Sequence, residues 1–285
     1  MAFFIVLLMY PFELLGSKLL WWTLHDTDPY VQDRVYNVPI STIAHLYLYS
    51  FAYHWAYTAI RELYLIDFGH NEETIRRDSL GVMWIVLFSL FLGSMFLTVF
   101  YGMIVLVLEI HPQVWVTIIL GISLLFVCIS VAHRDDPRVQ AEIDPIGTYD
   151  AQMFHSASKH AINRALYIFS FTLIVSIFIF SPSKIISVGY HQMLGDCTEN
   201  EEYMSWLDLD FYRPKYLCVH DYDEDFTLCN HPLQELPYQK KWYMICGREY
   251  EDFGTYLVMI LALVTTWNVI FHHIMRPFRH RKSNH

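Results

Sequence analysis

The chain is short of charge: only 17% of its 285 residues are Asp, Glu, Lys or Arg, against roughly a quarter in a typical soluble domain. Several windows of about 20 residues carry almost none, which excludes an ordinary soluble globule. Basic residues are scarcer than acidic ones, 19 against 29, and the formal charge of −10 argues against nucleic acid as a partner. Signature motifs are missing as well. There is no P-loop, G-x-S-x-G, H-E-x-x-H or C-x-x-C, so the nucleotide, hydrolase, zincin and dithiol chemistries those patterns carry have no support here. No N-x-S/T acceptor exists, so glycosylation offers no guide to sidedness.

What the chain has instead is apolar length. Hydrophobic residues make up 54% of it, and a bilayer-crossing helix needs about 20 in succession. Clear windows lie at residues 80–108, 112–132, 165–188 and 255–275. Residues 39–60 qualify by length although they carry His45 and His54, and residues 2–22 are interrupted by Pro11, Glu13 and Lys18. Helices satisfy their own backbone polar groups in lipid. The expected class is therefore all-α: a multi-pass transmembrane helix bundle of about six spans. "FFIVLLMY" also resembles the apolar region of a signal peptide, but no basic stretch precedes it and no small-residue cleavage site follows. A retained helix is expected, and a longer native chain stays open.

Lys and Arg favour the cytosolic side of short connections. Residues 23–38 hold only Arg34 and the turn at 109–112 holds none. The opposite connections and the tail hold eleven: Arg61, Arg76, Arg77, Arg134, Arg138, Lys159, Arg164, Arg276, Arg279, Arg281 and Lys282. Both termini are expected in the cytosol, with residues 23–38, 109–112 and 189–254 outside or in a lumen. Four of the five cysteines, Cys197, Cys218, Cys229 and Cys246, fall in that last loop, as an oxidising compartment would favour. Their spacings of 21, 11 and 17 do not suit a Cys₄ zinc site. Two disulfides are expected, with all three pairings open. The chain divides into spans and connections at 1–188, an acidic cysteine-bearing loop domain at 189–254, and the last span with its basic tail at 255–285. The loop domain holds fourteen acidic residues against five basic ones.

The stretch "LLWWTLHDTDPYVQDR" at residues 19–34 carries the densest candidate chemistry. Trp21 and Trp22 suit a membrane interface. Pro29 forces Asp28 out of the helical region and so ends the first helix. His25, Asp26 and Asp28 follow the tryptophans, and His45 lies about 9 Å below the start of the second span, within reach. His54 lies about 13 Å deeper on the opposite helical face. Glu109, His111 and His191 occupy the same outer level. His25, Asp26, Asp28 and His45 are candidate catalytic groups, and His25, Asp28, His45, His111 and His191 candidate ligands for a divalent metal ion. Such a centre would do acid–base work on a lipid or its headgroup. The plainer reading is a helix terminus that favours a His and a turn shaped by Asp26 and Asp28. Glu13 and His54 are ionisable groups inside spans, whereas Lys18 can reach outward to the surface. Asp221-x-Asp223-x-Asp225 imitates the start of a calcium loop but has Phe226 at the glycine position and Pro232 at the twelfth.

"WWTLHDTDP" followed by "DRVYNVPIS" resembles an animal family of multi-pass membrane proteins carrying a domain of unknown function, as do "SVGYHQ" and "YLCVHDYDEDFTLC". Leu24 and Ile40 stand where that family's pattern has tryptophan. The resemblance implies architecture and no activity. The Ser/Asp/three-His set of alkaline ceramidase-like hydrolases has no counterpart here. The expected role is that of a structural or partner-organising component of the secretory pathway or plasma membrane. Its partners would be the lipid bilayer and other membrane proteins met through the exoplasmic loop. A metal-assisted lipid-modifying enzyme, or a transporter or channel subunit, are the alternatives.

Overall fold

The computed structural model describes residues 2–23, 33–64, 72–108, 110–134, 149–204, 210–218, 225–230 and 240–274. Among these, six helices account for most of the chain: α1 (Ala2–Lys18), α2 (Ile40–Tyr64), α3 (Glu72–Phe96), α4 (Pro112–Arg134), α5 (Tyr149–Ile179) and α6 (Phe253–Ile274). A π-helical stretch, Leu97–Val107, continues α3. Among the described residues, four segments are long and apolar enough to cross a membrane: Arg76–Ile104, Pro112–Ile129, Ala161–Ile179 and Phe253–His272. They expose large apolar side chains such as Phe91, Phe126, Phe171 and Val258, the surface that lipid would cover.

α1 and α2 are different in kind. α1 is the innermost helix: Phe4, Leu7, Tyr10, Leu14 and Leu15 form the main core with Leu173 and Ile177 of α5 and Tyr256, Ile260, Val264 and Trp267 of α6. Its 17 residues span about 26 Å, a little less than the hydrocarbon thickness. α2 is too polar to qualify by composition, yet it lies antiparallel along α3. Tyr49 and Ser94 share a hydroxyl hydrogen bond of 2.8 Å, Trp55 stacks on Phe88, and Ile60 packs on Ile85. α2 therefore runs through the same depths as α3. Ala44, Ala52 and Ala56 lie on its buried side, small residues that let neighbouring helices approach closely.

α1 stops earlier than the 2–22 window and without help from Pro29. The amide of Leu20 donates to the Ser17 carbonyl and that of Trp21 to the Gly16 carbonyl, the paired bonds of a Schellman motif. Leu20 takes the left-handed conformation (φ 54°) that glycine usually supplies there. The fifth span also ends short of its expected 188, at Ile179. Pro182 opens a 3₁₀ turn, Pro182–Lys184, and lacks the amide that would extend a helix.

Beyond that turn the cysteine-bearing region is built of β-strands, which the all-α expectation did not contain. They are β3 (Ile186–Tyr190), β4 (Leu194–Gly195), β5 (Asn200–Met204), β6 (Asp210–Pro214), β7 (Leu217–Cys218), β8 (Phe226–Thr227) and β9 (Trp242–Gly247). Strands β3, β9 and β8 form an antiparallel sheet with β3 at one edge, β4 pairs with β7, and β5 with β6. A further hairpin, β1 (Arg34–Val35) and β2 (Val38–Pro39), precedes α2. Its turn residues Tyr36 and Asn37 both have positive φ, 47° and 63°, as a two-residue type I′ turn requires. The strands enclose a small core of Leu194, Leu217, Phe226, Leu228, Tyr243 and Ile245, joined by Leu20 from the tip of α1. This explains the left-handed leucine: a glycine would end the helix more easily but would leave the cap's core unfilled.

The two expected disulfides are present, Cys197–Cys218 and Cys229–Cys246, and Cys128 is free and exposed. Each closes a loop of about 20 residues, worth roughly 3 kcal/mol in the chain-entropy account. The cap, cross-linked twice, and the apolar helices mark a membrane protein exposed to an oxidising compartment.

Gly93 on α3 faces the ring of Tyr49, and a side chain there would collide with it, whereas Gly102 has open space. Gly93→Val should lower the thermal unfolding midpoint of the detergent-purified protein, by about 1–3 kcal/mol of overpacking, while Gly102→Ala leaves it unchanged. Equal midpoints for the two variants would contradict this packing of α2 on α3.

Candidate functional site

One end of the bundle gathers the three segments expected on a common face. Thr23, beyond α1, has its hydroxyl 3.5 Å from His191 Nδ1. Asp33 Oδ2 lies 3.4 Å from Nε2 of the exposed His111, before α4. Lys18 reaches the cap itself.

The expected metal ligands are distributed around this end. His25, Asp26, Asp28 and Glu109 lie outside the described residues. His45 is exposed, pairs its Nδ1 with the Ser41 carbonyl one turn back at 3.0 Å, and stacks on Tyr49. His111 turns to Asp33. His191 is buried in the cap against Tyr243 and Phe226, and its amide donates to the Lys241 carbonyl, so it joins the edge strand to its neighbour. No group of three or more His, Cys, Asp or Glu side chains suited to a metal ion occurs among the described residues. Of the two ionisable groups expected inside spans, Glu13 is half-buried on α1 and His54 is exposed on α2.

The cluster that does form centres on a residue to which the sequence pattern assigned little weight. Lys18 Nζ lies 2.8 Å from Asp225 Oδ1, with both side chains more than nine-tenths buried. The same ammonium donates to the Glu249 carbonyl at 3.0 Å and sits 5.1 Å above the Tyr250 ring, a cation–π contact. Asn37, held in its left-handed turn, hydrogen-bonds the Asp225 carboxylate, and Arg248 adds positive charge nearby. Tyr36, next to Asn37, packs edge-on against Tyr256 at the start of α6. Four parts of the chain thus converge: the end of α1, the β1–β2 turn, the segment leading into β8, and the approach to α6.

The electrostatics follow from burial. Loss of water pushes the Asp225 carboxyl above its ordinary 3.8, while Lys18, Asn37 and Arg248 pull it back. Burial, with the Asp225 charge adding, pushes the Tyr250 phenol up to about 12. Asp225 is the third aspartate of the rejected calcium-like run, and its cation proves to be an ammonium of the same chain. Nothing local could have shown this, because 207 residues separate the partners. The available signal was a single lysine at the end of a helix whose only other charged residue is Glu13.

Removing one member of a buried pair strands the other. Lys18→Met should cost about 3–5 kcal/mol of cap stability at neutral pH, and Lys18→Met/Asp225→Leu should recover most of it. A group whose carboxyl is raised on folding contributes stability below its unfolded value, and that contribution is lost as pH rises through the folded one. The Lys18→Met deficit should therefore narrow on acidification from pH 7.5 towards 5, as the stranded Asp225 takes up a proton. Unfolding monitored by disulfide reducibility at the two pH values checks this; an unchanged deficit would count against the buried pair.

Residues 1–276 match a family model described as Domain of unknown function (DUF7802). No curated protein and no solved structure matches the chain.

Proposed function

Because the chain belongs to the DUF7802 family, whose description states no activity, we propose that it is a partner-organising integral component of the secretory pathway or plasma membrane. The disulfide-bonded cap faces the exoplasmic side and both termini lie in the cytosol. The observation that carries this reading is the attachment of the cap. Lys18 is buried on Asp225 and Leu20 fills the cap's core, so the helix at the centre of the bundle continues into the cap. A surface held this way keeps one orientation relative to the membrane, which suits assembly with neighbours in the same bilayer. Sidedness is supported by the eleven basic residues against one and by the two disulfides.

In sealed, cytosol-side-out microsomes a membrane-impermeant maleimide should leave Cys197 unmodified, and once the vesicles are opened it should modify Cys197 only after reduction; labelling of the sealed vesicles would reverse the topology. For the role itself, proximity labelling from the cap should return a set of membrane neighbours that Lys18→Met loses while remaining in the membrane. An unchanged set would defeat the proposal. Stoichiometric metal in the purified protein, lost with His25→Ala, would replace it by metal-assisted lipid chemistry.

A further inference from the structure

Strand β3 alternates, and its alternation is inverted relative to a strand that hides its apolar side. Ile186, Val188 and Tyr190 are 61%, 59% and 66% exposed, and Trp242, opposite Tyr190 on β9, is 64% exposed. Met244 pairs with Val188 on the same face. The opposite face, with Tyr243 and Ile245, is buried in the cap's core. A contiguous exposed apolar face on a disulfide-bonded sheet marks an interaction surface.

We infer that this outer face of the β3–β9 ribbon is a lipid-contacting surface. It lies in the interfacial zone of the bilayer beside α5, against phospholipid headgroups and the upper acyl chains. The inference rests on the membrane reading given above and adds a second membrane contact to it.

The ribbon is tied to helix ends at both of its own ends. On one side, only the 3₁₀ turn Pro182–Lys184 separates it from α5. That seam is tight: the Gly247 amide donates to the Ile185 carbonyl, and a Cβ on Gly247 would collide with the Pro182 carbonyl. On the other side, His191 meets Thr23, directly after Trp21 and Trp22, whose rings lie back on Phe12 of α1. A strand tethered at both ends to the tips of helices runs along the membrane surface.

Continuity points to lipid as the occupant. Phe178, Ile179 and Phe180, at the end of α5, are exposed and lead through the turn to Ile186, so the apolar surface of the span carries on into the ribbon. The rim has the chemistry of an interface: a tyrosine and a tryptophan, which favour that depth, and exposed lysines at Lys184, Lys240 and Lys241. Lys241 Nζ lies 5.8 Å over the Tyr190 ring, an aromatic–ammonium pair that can bury its stem and offer its charge to phosphate. Of the acidic groups at the β5–β6 hairpin, Glu199 pairs with Lys215, Glu201 with Arg213, and Glu202 accepts from the Tyr212 hydroxyl.

The test uses the full wild-type chain in nanodiscs of phosphatidylcholine and phosphatidylglycerol that contain a phospholipid with a headgroup-proximal diazirine. After photolysis, adducts are mapped by mass spectrometry. Peptides holding Ile186–Tyr190 and Trp242 should be labelled to within about three-fold of Phe178–Phe180, and about ten-fold above Tyr212 on the cap's hairpin, as expected for interfacial seating. Labelled α5 with an unlabelled ribbon would overturn the inference and leave the membrane reading intact. A ribbon free of lipid adducts yet shielded from an aqueous footprinting reagent would also overturn it, in favour of a second copy or another protein at the β3 edge. Absence of label from α5 as well would remove the membrane reading itself.

Discussion

An ammonium and a carboxylate taken out of water must satisfy each other to offset the hydration they lose, and Lys18 and Asp225 are placed under that condition. Much of the molecule can be traced from it. The cap holds one member of the pair: Asp225 directly precedes Phe226, which is buried in the cap's core. The pair's remaining hydrogen-bond capacity must be filled, and the Glu249 carbonyl and the Asn37 side chain do so. Asn37 can reach only because the β1–β2 turn takes two left-handed residues. A buried pair adds little net stability over apolar groups of the same shape. Partners fixed this way favour the placement of the cap in which they meet.

The bundle was largely legible in the sequence because lipid imposes a simple rule, a run of about 20 apolar residues per crossing. The rule worked for α3, α4, α5 and α6 and blurred where its assumptions failed. α1 is apolar because it is surrounded by other helices, and α2 leans on α3 through residues such as Tyr49 while its histidines, His45 and His54, stay exposed. Residues 180–188 read as the end of a span because Ile185, Ile186 and Val188 are apolar, whereas they form a turn and a strand. The disulfide count was legible, the pairing was not, since three pairings are compatible with any four cysteines.

The candidate chemistry fared differently from the fold. Depth along a helix is calculable from 1.5 Å per residue, so a common level for His45, His111 and His191 is an expectation the sequence supports. Direction within a level is not calculable, and direction separates these three: one turns to its own helix, one to Asp33 and one into the cap. The Lys18–Asp225 contact was invisible for the opposite reason. Its members sit in segments with nothing in common, an apolar helix and an acidic loop, and only the closed fold brings them together.

The same contact has a history in time. Lys18 is synthesised 207 residues ahead of Asp225, an interval of about 10–40 s at ordinary rates of translation. Throughout that interval the central helix carries a positive charge with no partner, and four further helices must be delivered before one arrives. Oxidation of the cap falls in the same late window, since the cysteines flanking Asp225 are Cys218 and Cys229. The earliest of these helices is thus the last to be completed, and closing the cap exchanges water at the Lys18 ammonium for the Asp225 carboxylate.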